Sequence, residues 1–193
     1  GDVGFRLNLF SAFCGAATIL LAEMSMRRLG LSRWARWGAL GLLMAAPFFW
    51  AMSLIAEVYT LHTMLLAALI LALLNWRDEP NAIKLFWAVL ILALSMGNHA
   101  ATVLLVPGSI LFVLLHQPAV WRLGRSYVAV VAGVMLGATV FLYLPLRALA
   151  EPGFNYAGTF DAQGVFQAVD LTSWSGFVWL VTGRSFSGQM WGY

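Results

Sequence analysis

Apolar runs of membrane-crossing length, broken by short polar stretches, set the pattern along this chain. Leu9 to Met26 is the first run, just long enough to cross a bilayer core. The second starts at Gly38, reaches Pro47 and extends through the aromatic stretch Phe48-Phe49-Trp50 to Ile55; the third covers Val58 to Trp76. Ile83 to Gly97, Ala100 to Leu115 and Tyr127 to Leu146 complete the series. Pro47 cannot donate a backbone hydrogen bond and restricts the residue before it, so a helix arriving there is expected to end or kink. Pro107 is expected to bend the fifth run. Gly133 and Gly137 form a small-xxx-small pattern that suits close helix packing. After Leu146 the pattern changes, with Pro152-Gly153 as a turn signal. Val165 to Thr182 then mixes apolar and polar residues as an amphipathic interfacial helix does. The pattern predicts an all-α polytopic membrane protein with about six transmembrane helices and a C-terminal external interfacial helix. It divides into a bundle over 1–148 and an external segment over 149–193.

Composition agrees: the 193 residues are 62% hydrophobic and 10% charged, against about 25% charged in a soluble domain. The net charge of +3 carries no basic-aromatic patch, so nucleic acid is not an expected partner. Cys14 is the only cysteine, which excludes an internal disulfide. Charge also sets topology. The three loops that six spans place inside hold Arg27, Arg28, Arg33, Arg36, Arg77, Lys84, Arg122 and Arg125, eight of the eleven basic residues. Only Arg6, Arg147 and Arg184 fall elsewhere, as the positive-inside rule requires. Gly1 stands where an initiator Met would, and the chain is expected to be an internal fragment or trimmed product.

The same topology brings polar residues from separate connections to the external face: Glu57, Asn98-His99 and Arg147, with Glu151, Asp161 and Asp170. Glu57 is the only charge between Gly38 and Asn75, and a carboxylate at a span edge is costly unless it is partnered or faces water. Its bland alternative is a cap on the helix that follows, where the helix dipole favours it. Tyr59 and His62 share a helix face and either support Glu57 or sit at the interface. His99 suits a general base, a metal ligand or a phosphate donor, though histidine spacing matches no zinc motif. Arg147, at a span end, suits bidentate phosphate or simple anchoring in the headgroups. Glu23 and Arg27, spaced i,i+4, read as a snorkelling pair. No Walker loop, Rossmann glycine signature, nucleophile elbow or HExxH occurs.

The blocks RLNLFSAFCGA (Arg6 to Ala16), PFFWAMSLIAEVYTL (Pro47 to Leu61), SMGNH (Ser95 to His99) and YLPLRA (Tyr143 to Ala148) resemble those of the bacterial relatives of transmembrane protein O-mannosyltransferases. These are polytopic glycosyltransferases of the GT-C superfamily. Asn155-Tyr156 and Val181-Thr182-Gly183-Arg184 are similar to two later elements of that family, with Tyr for Trp and a longer spacer. The resemblance implies transfer of a sugar, mannose above all, from a polyprenyl-phosphate donor to a protein or lipid acceptor outside the bacterial cytoplasmic membrane. It implies Glu57 as a second acid orienting the acceptor or a divalent cation. Asn98, His99, Tyr59 and Asn155 become substrate contacts, and Arg147 a phosphate partner. The family's main acid lies in an Asp-Ser-Gly-Glu-like block before RLNLFSA, which Asp2 does not match, so the fragment alone is expected to be inactive. A transporter would instead carry polar breaks at mid-span in two matching halves. A non-catalytic scaffold would tolerate joint loss of Glu57, His99 and Arg147.

Overall fold

A computed structural model of the chain describes residues 2–151, 153 and 157–184. The first helix, α1 (Val3–Arg28), starts where the Asp2 side chain accepts the Gly4 amide at 3.0 Å. That capping is the structural use of Asp2. α2 (Arg33–Ala45) is likewise capped, by Ser32. It stops one residue before Pro47, which occupies the first position of α3 (Pro47–Leu54). Proline is tolerated there because that amide has no intrahelical partner anyway. The two helices meet at 61°, the break the proline predicts. Extended residues Ile55 to Glu57 lead into α4 (Val58–Asp78). Asn81 caps α5 (Ala82–Asn98), and a 3-10 turn (Ala100–Leu104) leads into α6 (Leu105–His116). Pro107 sits in the first turn of α6; the change of helix type comes just before it. A second 3-10 turn (Pro118–Arg122) precedes α7 (Gly124–Ala138).

Three stretches are long and apolar enough to cross a membrane: α1, α4 and the run Gly124–Leu149, with the bent α2–α3 pair a fourth if it is one span. α5 and the run Ala100–His116, expected as the fourth and fifth spans, are shorter apolar helices. The chain is thus a nearly all-helical membrane protein with three to four candidate spans by length and composition. Its surface carries many exposed large apolar side chains, such as Leu42, Phe48 and Leu104, as lipid-facing helices do.

The described residues fall into two compact units, Gly1–Gly137 and Ala138–Tyr193. In the first, α4 packs between α1 and α5. Gly15 of α1 lies so close to α3 that a Cβ would meet the Ser53 hydroxyl oxygen at 2.5 Å. Buried Gly133 and Gly137 abut Val89 and Ala93 of α5, so the small-xxx-small pattern is a helix contact. Trp76, Leu85, Val113, Val120 and Ala129 form a closed apolar cluster.

In the second unit a 3-10 turn (Thr139–Leu142) runs into α8 (Tyr143–Leu149). An antiparallel hairpin follows, β1 (Gly158–Phe160) with β2 (Phe166–Ala168), pairing Thr159 with Gln167. Helix α9 (Trp174–Val181) closes the described part. The amphipathic helix expected over Val165 to Thr182 is therefore confined to eight residues. Its first part is strand, because Asp161 Oδ1 accepts the Gln163 and Val165 amides and Gly164 takes φ +78°, which turns the chain back.

Candidate functional site

The carboxylate of Glu57 is exposed and has no partner among the described residues. Glu57 is the residue before α4, with φ −131° and ψ 154°, yet its side chain does not cap the helix. The capping alternative is thereby removed. The group sits in the positive field of the α4 N-terminus without being committed to it.

Asn98 and His99 are held next to this point. Asn98 Nδ2 donates to the Val58 carbonyl at 3.3 Å, which ties the end of α5 to the start of α4, one residue from Glu57. The turn itself is fixed from below by two buried hydroxyls. Ser95 Oγ and Thr102 Oγ1 lie 3.1 Å apart, and Thr102 Oγ1 also donates to the Ser95 carbonyl at 3.1 Å. Both residues are almost wholly buried, where an unpaired hydroxyl would be costly. The His99 amide donates to Ser95 and the Thr102 amide to the His99 carbonyl, at 2.9 and 3.0 Å.

The rings complete the cluster. His62 lies against His99 with centroids 4.8 Å apart and a 30° tilt, and Tyr59 lies 6.2 Å from His99. The shared face of Tyr59 and His62 is thus turned toward His99. His99 Nδ1 accepts the Ala101 amide at 3.2 Å, so a neutral ring carries its proton on Nε2 and presents a donor there. His62 Nδ1 and the Thr60 hydroxyl are buried with no hydrogen-bond partner. The pairing of His62 with His99 was not legible from spacing, since 37 positions of chain separate them. An apolar cavity of about 460 Å³ opens beside the same turn; Met96 and Val103 line it there, and Leu73, Ile110 and Val134 line it further along.

The other sequence candidates are placed differently. Arg147 is exposed in the last turn of α8, in the second unit, with no side-chain partner among the described residues. A cation there complements the C-terminal end of the helix dipole. Asn155 lies outside the described residues, as does Tyr156. Asp161 and Asp170 are committed to loop structure. Gln167 and the Val165 amide hold the Asp161 carboxyl below its ordinary pKa. The Thr172 hydroxyl and amide do the same for Asp170. Glu151 adopts φ +45° just past α8. No three of His, Cys, Asp and Glu come together to hold a metal ion among the described residues.

Ion pairs gather at the far end of α4. Arg27 donates to Glu23 at 2.9 Å, so the i,i+4 pair forms. Arg36 Nε lies 3.3 Å from the same carboxylate, within reach of its charge but out of line for a hydrogen bond. Arg28 and Arg77 converge on Asp78 at 3.0 and 2.7 Å, and Lys84 reaches Glu79 at 2.6 Å.

The family model described as Protein O-mannosyl-transferase TMEM260 N-terminal domain matches residues 1–122, well over half of the chain. The matched span includes Glu57, Tyr59, His62, Asn98 and His99 and stops before α7. No curated protein and no solved structure matches.

Proposed function

We propose that this chain, which belongs to the TMEM260 protein O-mannosyl-transferase family, is the membrane-embedded part of a GT-C-type enzyme. Its reaction moves a mannosyl group from a polyprenyl-phosphate donor to a hydroxyl of a protein acceptor. The acceptor oxygen bonds to the anomeric carbon, the bond from that carbon to the phosphate oxygen breaks, and the hydroxyl proton leaves for a base. Polyprenyl phosphate is the leaving group. Glu57 serves as the second acid, accepting a hydrogen bond from the acceptor hydroxyl and orienting it. His99, with its proton on Nε2 and its ring backed by His62, donates to the phosphate or the sugar as charge develops. Asn98 fixes the distance between these two groups through Val58. Tyr59 offers a ring face to the sugar. The apolar cavity that begins at Met96 and Val103 suits the first part of the polyprenyl tail.

The observation that carries this reading is the uncommitted Glu57 carboxylate at the residue before α4, the helix whose Tyr59 and His62 rings meet His99, in a chain of this family. The assignment of Glu57 to the external face of the membrane is supported by charge. The loops at the opposite end of α4 hold the arginines, and basic loops stay inside. The test uses the full-length protein in membranes, supplied with labelled polyprenyl-phospho-mannose and an acceptor protein. Glu57→Gln is expected to cut transfer by about a hundredfold or more with unchanged expression. Transfer at the wild-type rate in that variant overturns the assignment.

A further inference from the structure

At the end of α4 opposite Glu57 lies a second cavity, of about 440 Å³, built differently from the first. Its floor is made by Ala68 and Ala72, one turn apart on α4, where two small side chains leave a furrow. Leu21 of α1 walls one side, and Trp87 and Ile91 of α5 the other. Its rim is basic: Arg28 and Lys84 both line it. Each spends only part of its donor capacity, Arg28 through one nitrogen on Asp78 and Lys84 on Glu79. Arg28 is about half exposed. Asn75 stands between rim and furrow, and its amide oxygen is buried without a hydrogen-bond partner.

We propose that this trough is a binding site for one anionic phospholipid, with its phosphate on Arg28 and Lys84 and one acyl chain along Ala68 and Ala72. Three features select that occupant. The site is amphipathic in the order a phospholipid is, charged at the rim and apolar below. The segments 23–37 and 77–84 carry six basic residues against three acids, Glu23, Asp78 and Glu79, so a surplus of three positive charges faces the headgroups. Trp87, half-exposed beside the rim, occupies the level where indole rings settle at a membrane interface. The site is separate from the glycosyltransferase reading and holds whether or not that reading stands.

The test is native mass spectrometry of the full-length protein, released from detergent after incubation with equal phosphatidylglycerol and phosphatidylcholine. One phosphatidylglycerol is expected to be retained in preference. Lys84→Gln is expected to lower that preference by about fivefold, the value of one basic residue at an anionic surface. Ala72→Phe, which fills the furrow and leaves both cations, is expected to reduce retention of both lipids. If Ala72→Phe does not fold, Lys84→Gln decides alone. Excess glycerol phosphate, which has the phosphate but no chain, is expected not to displace the lipid. Equal retention of the two lipids, an unchanged preference in Lys84→Gln, or displacement by glycerol phosphate overturns the proposal.

Discussion

The two ends of α4 are built from the same residue types to opposite purposes. At the Asp78 end every acid is engaged: Glu23 with Arg27, Asp78 with Arg28 and Arg77, Glu79 with Lys84. At the Glu57 end the carboxylate is bare. Helix geometry puts about 30 Å between them. Charges paired with one another are neutralised and hold helices together. Charges left unpaired keep their hydrogen-bonding capacity for something that arrives later. The difference separates an end held by ion pairs from an end with an unpaired carboxylate, independent of any family.

The contrast yields outcomes that can break it. The largest is expected for His99→Ala, which removes the aligned Nε2 donor. Transfer should fall on the order of a hundredfold, with little change in thermal melting of the purified protein. Gly15→Val comes next. Its Cβ would meet Ser53 at 2.5 Å, forcing α3 off α1 at a cost of about 1–3 kcal/mol. Both melting temperature and transfer should drop, because α3 leads into Glu57. Thr102→Val leaves the Ser95 hydroxyl without its side-chain partner, at a cost of about 1–3 kcal/mol. Melting should reveal that loss, and the Michaelis constant for donor should rise as the His99 turn loosens.

At the other end, Asp78→Asn should lower the melting temperature slightly and leave transfer untouched, since exposed pairs contribute little. A large loss of transfer in that variant would erase the distinction between the ends. The smallest effect is expected from acid. Lys84 holds the Glu79 carboxyl below its ordinary value of 4.5 by hydrogen bonding and charge. A depressed carboxylate contributes stability that is complete above the ordinary value and is lost as pH falls through the folded one. Melting curves should therefore be flat near neutrality in this respect and decline only below about pH 4.5.

Much of this was legible in the chain, and what was not has identifiable causes. The break at Pro47, the Glu23–Arg27 pair and the Gly133–Gly137 contact each follow from local chemistry, and local chemistry is what a sequence displays. The bounds of α5 were read to within one residue at each end, though the sequence did not show what stops the helix. Here the Ser95–Thr102 hydroxyl pair turns the chain at His99. The hairpin after Gly158 was missed although its signal is present. Asp161, followed three residues later by Gly164, marks a tight return, but Trp174, Phe177 and Trp179 further along drew all of Val165 to Thr182 into one expected helix. The His62–His99 stack and the Arg28–Asp78 bridge join residues far apart in sequence, and no spacing rule reports such pairs. Arg147 was grouped with Glu57 by topology and resemblance, Asn155 by resemblance alone, and the geometry described around Glu57 involves neither.

The bare carboxylate also has a meaning for how the protein is made. Between Gly38 and Asn75 a nascent chain offers the insertion machinery nothing charged except Glu57. That one group marks where the α2–α3 pair ends and α4 begins. A neutral apolar side chain there would leave a stretch of nearly forty uncharged residues free to choose its own depth and turning point. Glutamine, still polar, keeps the marker while removing the charge. Leucine erases it, and the register of α4, with both of its ends, would then be settled by lipid rather than by sequence.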